Sequence, residues 1–278
     1  MLAELRGKGG TVCQPAREGK LRCPLIVRPT SEDAISGNLF QILGIINPRW
    51  WLADILNLAL GAPRFRRQVY RKLQIELWKN RPVMPRELLP NPEGSTQVDV
   101  TISWENPPTT IFVEMKFLSN LARSTASHDP QSSYSSDQLV RNIRVGLWEC
   151  GWLRLKSFFN LPRRDFCMIL IGPTKGNPLV EAYRNADHLL GQFPPNRRPD
   201  ALPGGPFVGD LTYRDIATVL NRNLSAMGRA EQRAAHDLLD YIELKQLQAE
   251  RFEPQRLKQF RLPDGRGGVI EPVGAIRP

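Results

Sequence analysis

Cysteine and histidine are scarce. The 278 residues hold four cysteines and three histidines. Cys13, Cys23, Cys150 and Cys167 include no CxxC pair, and His128, His188 and His236 form no ligand pattern. That argues against a zinc site and against a disulfide framework. It suits reduced thiols in a cytoplasmic setting. Long apolar runs are missing too. The most apolar stretch, 39–62, is interrupted by Pro48, Arg49 and Asp54. It reads as buried helices rather than a membrane span. The first residues carry no apolar signal core, so no membrane partner is expected. There is no internal repeat, and the only biased tract is a Ser-rich stretch within 119–136. Acids are outnumbered: 28 Asp and Glu stand against 38 Lys and Arg, a formal net charge of +10. Such a balance favours polyanionic partners through phosphate contacts and counterion release. Net charge alone names no partner.

What is present is enough chain for a sizeable core. Gly, Pro and charge dominate 1–30, which reads as an extended N-terminal arm. A single domain is expected over 31–252, its core at about 64–172 and its C-terminal helical part at about 178–252. A basic tail, 253–278, follows. Ser31-Glu32-Asp33 caps a first predicted helix to about Ile46, and Pro48 opens a second to about Leu60. Trp50 and Trp51 read as packing aromatics. The pattern predicts further helices over about 64–80, 137–151, 178–190, 212–220 and 226–252. Thr212 and Asp215 form a capping-box pair. Phe166 to Ile171 reads as a buried strand.

The informative stretch is 97–117. Val98, Val100, Ile102 and Trp104 alternate with Gln97, Asp99, Thr101 and Ser103. After a short segment with Pro107 and Pro108, Ile111, Val113, Met115 and Phe117 alternate with Thr110, Phe112, Glu114 and Lys116. This predicts an antiparallel hairpin with one apolar face. Side chains two apart share a face, and so do residues directly opposite across the ladder. If the apolar faces coincide, Asp99 lies opposite Glu114 or Lys116. Two carboxylates and an ammonium then share one patch. Carboxylates are the hard oxygen ligands Mg²⁺ prefers, and a nearby lysine can orient or deprotonate a water and offset phosphate charge. The plain alternative is an amphipathic hairpin with a surface Glu/Lys pair.

Asp99 followed by Glu114-Met115-Lys116 in a hairpin resembles the signature of the PD-(D/E)xK, or restriction-endonuclease-like, nuclease superfamily. Val98 stands where a proline often precedes the first acid. The resemblance implies an α/β fold with a mixed sheet flanked by helices, and Mg²⁺-dependent cleavage of DNA with Mn²⁺ able to substitute. It places the metal-binding acid on Asp99, the second acid on Glu114 and the catalytic lysine on Lys116.

Two flanking elements extend it. On a helix over 64–80, Val69, Leu73, Glu76, Leu77 and Asn80 share one side, which turns Glu76 inward. An inward carboxylate needs a cation, a metal or a donor. It resembles the extra acid that a helix before the hairpin often supplies in the superfamily, and so a third metal ligand. The competing reading is an ion pair with Lys72 or Lys79. Eight Lys or Arg lie between Arg64 and Arg86. Of these, Arg66, Arg67, Arg71 and Lys72 are candidate phosphate contacts, unless they are simply a solvated face. After the hairpin, Gln138 resembles the polar residue that the next helix of such nucleases points toward the site, with Arg141 a second choice and a nucleic-acid contact. The 119–136 segment is read as a mobile segment over the site, and His128 within it either assists catalysis or is simply an exposed loop histidine.

The expected function is a Mg²⁺-dependent deoxyribonuclease, endonuclease rather than exonuclease, acting on double-stranded DNA as a homodimer or within a nucleoprotein complex. The main rival is a catalytically silent nucleic-acid-binding module of the same fold. A third reading is an unrelated basic α/β protein in which the motif is accidental.

Overall fold

The computed structural model describes residues 31–82, 95–117, 137–153, 162–193 and 198–248, with the backbone of 262–263 and 269–270. The expectations for 1–30, for His128 and the 119–136 segment, and for most of 253–278 lie outside these residues.

The fold is α/β, built on an open five-stranded mixed sheet. Strands β1 (Gln74–Arg81), β2 (Thr96–Glu105), β3 (Pro108–Met115), β4 (Asp165–Gly172) and β5 (Val208–Thr212) lie side by side in that order. β1–β2 and β2–β3 are antiparallel, whereas β3–β4 and β4–β5 are parallel. Helices α1 (Glu32–Leu43) and α2 (Leu52–Leu60), joined through a 3₁₀ turn at Pro48–Trp50, precede the sheet. Helix α3 (Gln138–Glu149) lies between β3 and β4 in the chain. Two short helices, α4 (Pro178–Arg184) and α5 (Ala186–Leu190), lie between β4 and β5. Helices α6 (Tyr213–Asn223) and α7 (Arg229–Leu244) follow. A two-residue pair, β6 (Leu262–Pro263) with β7 (Val269–Ile270), stands apart. No helix among the described residues is long and apolar enough to cross a membrane.

The sheet sorts its side chains by parity. Val98, Val100, Ile102 and Trp104 share one face with Ile111, Val113 and Met115, and all are buried. Helices α1 and α2 lie on that face: a Cβ on Gly44 at the end of α1 points at Ile75 of β1, and one on Gly209 of β5 points at the α2 backbone. The opposite face takes α3. Its Gly146 crosses β4 so closely that a Cβ there falls 2.1 Å from the Phe166 ring. Phe166 in turn stacks edge-on to Phe112 at 5.3 Å.

On this second face the residues form rows across the strands. The first is Gln74, Ser103, Thr110 and Phe166. The next is Glu76, Thr101, Phe112 and Met168. The alternation then brings Asp99 and Glu114 to the third, with Leu170 paired to Glu114. Polar groups thus lie at both ends of this face, and α3 covers it over Phe166, against which Phe112 packs.

Three expectations need correcting. The segment 64–80 is not a helix: 64–73 is irregular and Gln74–Arg81 is edge strand β1, paired along its length with β2. The helical spacing of Val69, Leu73 and Leu77 coexists with a strand alternation of Leu73, Ile75 and Leu77. Ladder bonds to β2 decide between them, and Val69 ends 82% exposed. Second, Val208–Thr212 is a strand, where the sequence pattern predicts no element between the 178–190 and 212–220 helices. Third, the predicted 178–190 helix is broken at Asn185, which caps α5 by accepting from the His188 N–H at 2.9 Å.

The capping box of α6 forms as expected. Thr212 Oγ1 accepts from the Asp215 N–H at 3.1 Å, and the Asp215 carboxylate accepts from the Thr212 N–H at 2.9 Å. Burial alone would raise the Asp215 pKa. Its bonds to Thr212 and to Lys175, at 3.1 Å, outweigh that and hold the carboxyl below its ordinary range. Asp215→Ala is therefore expected to cost about 1 kcal/mol at neutral pH. The sign follows from the depressed pKa. This stabilisation is complete above the ordinary carboxylate value and fades as pH falls through the lower, folded-state value. Urea titrations at neutral and strongly acid pH should show the wild-type advantage only at the former. An equal gap at both would put the effect elsewhere.

Candidate active site

The carboxyl end of β3 is where the hairpin opens. The β2–β3 ladder runs from Glu105 opposite Pro108 to Val100 opposite Val113. Beyond it the Asp99 side chain takes over a backbone donor: Met115 N–H donates to Asp99 Oδ2 at 2.9 Å. A buried amide must find an acceptor, and here a carboxylate supplies it at the end of the ladder. Asp99 is 3% exposed and Glu114 fully buried.

Among the described residues, two side chains fix the Glu114 carboxylate. Asn142 Nδ2 on α3 donates to Oε2 at 3.1 Å, and Lys116 Nζ lies 2.8 Å from Oε1. Asn142 is itself oriented by Thr96, whose hydroxyl donates to Asn142 Oδ1 at 2.7 Å. A third carboxylate arrives from the first turn of α1. Glu32 Oε2 lies 3.5 Å from Lys116 Nζ, and its Oε1 accepts from the Phe117 N–H at 2.9 Å. Lys116 is thus the common partner of Glu114 and Glu32. Burial works against its ammonium, but Glu114 first, then Glu32 and Asp99, more than offset that and hold its pKa above the usual lysine range. In this arrangement Lys116 can act as a charged donor and not as a proton acceptor. The backbone around it is pinned: its N–H donates to Ile171 O at 2.8 Å, and its carbonyl accepts from Tyr213 Oη at 2.9 Å. Tyr213 is fully buried. Burial, then the Glu32 and Asp99 carboxylates, push its hydroxyl well above the ordinary tyrosine range.

Asp99, Glu114 and Lys116 therefore meet, but the other expected site residues distribute differently. Glu76 is on β1, not on an inward helix face. Its carboxylate pairs with Lys79 at 2.9 Å, both side chains well exposed. The acid that reaches Lys116 from a preceding helix is Glu32. Read locally, Glu32 is merely an acid in a helix's first turn, and nothing in the pattern says which strand end that turn meets. Gln138 is partly exposed in the first turn of α3. Asn142, one turn further on, is the residue that bonds Glu114, and Arg141 beside it is partly buried. A buried Asn inside a helix was the available signal, since Asn favours caps over helix interiors.

The basic stretch is also displaced. Arg66, Arg67, Arg71 and Lys72 belong to the irregular segment at the turn end of the hairpin. There Glu105 N–H donates to Arg71 O at 3.0 Å, and Lys72 pairs with Glu105 at 2.8 Å. Arg67 is engaged with Asp54 and Asn223, at 2.7 and 2.8 Å. Six residues of strand separate Pro108 from Glu114, roughly 20 Å, so these cations do not line the carboxylate cluster.

Donor chemistry suits a hard cation, because Asp99, Glu114 and Glu32 offer only carboxylate oxygens. The spacing is less complete: among the described residues no group of three or more His, Cys, Asp or Glu is placed to hold a metal ion. The Lys116 ammonium links Glu114 and Glu32 instead. Mg²⁺ commonly binds through one or two carboxylates plus water and phosphate, so Asp99 and Glu114 fit that lesser demand. Comparisons with protein-family models, with curated proteins and with solved structures find no match to this chain.

Proposed function

We propose that this protein is a Mg²⁺-dependent nuclease of the restriction-endonuclease-like kind, hydrolysing phosphodiester bonds in DNA. The observation that carries the reading is the convergence of Asp99, Glu114 and Lys116 where the hairpin opens at the carboxyl end of β3. The net charge of +10 supports a polyanionic substrate. Asp99 and Glu114 would hold the cation, which when bound supplies Lewis-acid polarisation of the scissile phosphate. Lys116 offsets charge that develops on the phosphate and orients a water through its N–H groups. Asn142 keeps the Glu114 carboxylate aimed. Glu32 keeps the ammonium positioned and charged.

The test is digestion of supercoiled and linear DNA by the full chain with Mg²⁺, with Mn²⁺ and with EDTA. Nicking or linearisation that EDTA abolishes is expected. Tight, salt-sensitive DNA binding with no cutting under either metal would replace this reading with that of a silent binding module. The ion pair between Lys116 and Glu114 favours that second reading, since it occupies the carboxylate a cation would need.

The placement of the acids gives a sharper expectation. Glu32→Ala should lower the cleavage rate by about tenfold or more, because it removes an anion that steadies the Lys116 charge. Glu76→Ala should leave the rate unchanged, since its exposed pair with Lys79 contributes little. The reverse pattern in single-turnover assays would return the extra acid to Glu76.

A further inference from the structure

The other end of the α3-covered face carries a groove of about 280 Å³, open to solvent along β1 and floored by the first polar row. It lies four residues along β3 from Glu114, roughly 13 Å, and shares no residue with the carboxylate cluster. Its charges nearly cancel in pairs. Lys72 is matched by Glu105, Lys79 by Glu76 and Arg81 by Glu149. Among the described residues the fourth cation, Arg164, donates only to neutral oxygens: Nη2 to Trp104 O at 2.8 Å and Thr109 O at 3.3 Å, and Nε to Thr110 Oγ1 at 3.2 Å. Its Nη1 group makes no hydrogen bond among the described residues, and neither do the side chains of Gln74 and Ser103. Gln74, Ser103 and Thr110 face one another across β1, β2 and β3.

The groove therefore offers three spare donor groups, the Nη1 of a guanidinium with no carboxylate partner among the described residues, an amide and a hydroxyl, in a chain of formal net charge +10. Arg–phosphate contacts are among the strongest charge-assisted hydrogen bonds. We propose that this groove binds a phosphate ester, with room for the attached sugar and base of a mononucleotide. The ester could come from a free nucleotide or from the backbone of a polynucleotide. The proposal does not depend on cleavage at the carboxylate cluster.

The experiment is calorimetric titration of the full chain with deoxyadenosine monophosphate and, separately, with a short DNA duplex held in EDTA. Gln74 is exposed and can be changed without disturbing the fold. Gln74→Glu should weaken binding by about tenfold or more, by setting a carboxylate against the phosphate. Gln74→Lys should tighten it, and Arg164→Gln should lose it. A response confined to the mononucleotide identifies a free nucleotide as ligand, and one confined to the duplex identifies backbone phosphate. Affinities for both probes that ignore Gln74→Glu and Arg164→Gln would overturn the assignment, and so would the absence of binding to either probe.

Discussion

Lys116→Ala is expected to slow single-turnover DNA cleavage by about 10² or more, the usual loss for one preorganised electrostatic group, while DNA affinity stays close to wild type. The affinity expectation rests on number: one ammonium among 38 basic side chains adds little to a polyelectrolyte contact. The rate expectation rests on position, 2.8 Å from Glu114 at the point where phosphate charge would develop. Stability must be measured alongside. Truncating Lys116 strands a fully buried carboxylate, and breaking such a pair costs about 3–5 kcal/mol. The double variant Glu114→Gln with Lys116→Met removes both charges and should recover much of that loss without recovering cleavage. Asp99→Ala should abolish cutting and weaken Mg²⁺ binding, because it deletes a hard-oxygen ligand. Wild-type rates in a folded Lys116→Ala protein would end the assignment of these residues, even if the chain is a nuclease.

Gly209→Val should be the most damaging single change outside the site, costing about 3 kcal/mol or more. Here β5 passes beneath the last turn of α2. A Cβ on Gly209 would sit 2.3 Å from the Ala59 carbonyl oxygen and 2.7 Å from its carbon. The obstacle is backbone, which cannot swing aside as a side chain can, so α2 must lift from the sheet. Ala59 and its neighbours Leu56 and Leu60 are buried, and lifting them opens the core under β4 and β5. The measurement is urea unfolding by far-UV circular dichroism. A midpoint within error of wild type would mean that α2 is not seated on β5. Gly146 differs in kind: its obstacle is a side chain, the buried Phe166 ring, and not backbone.

The hairpin was legible because alternation fixes parity without knowledge of register. Asp99 and Glu114 had to share a face in either pairing of the apolar sides. The strand β1 was illegible because its apolar residues satisfy a period of four and a period of two at once. Only the partner strand chooses between them. β5 was hidden by brevity, five residues ending a Pro/Gly-rich connection. Glu32 could not be found from its surroundings, since an acid in a first turn already has a sufficient local reason in the helix dipole. What gives it a second task is a meeting with a strand end far along the chain. Gln138 and Asn142 lie one helical turn apart on α3, and Asn142 is the one that bonds Glu114.

Both peptide neighbours of Lys116 are tied down, one to Ile171 and the other to Tyr213. The ammonium, by contrast, stands at the end of a four-carbon stem of single bonds and is held by the Glu114 and Glu32 carboxylates rather than by backbone. Any rearrangement that gives Glu114 to another cation can therefore proceed by rotamer exchange of one side chain, with the chain path unchanged. Under the proposed function, the resting protein and one holding a cation at Glu114 would differ in torsion angles at a single lysine. Their interconversion would be a matter of local hopping, not of domain motion.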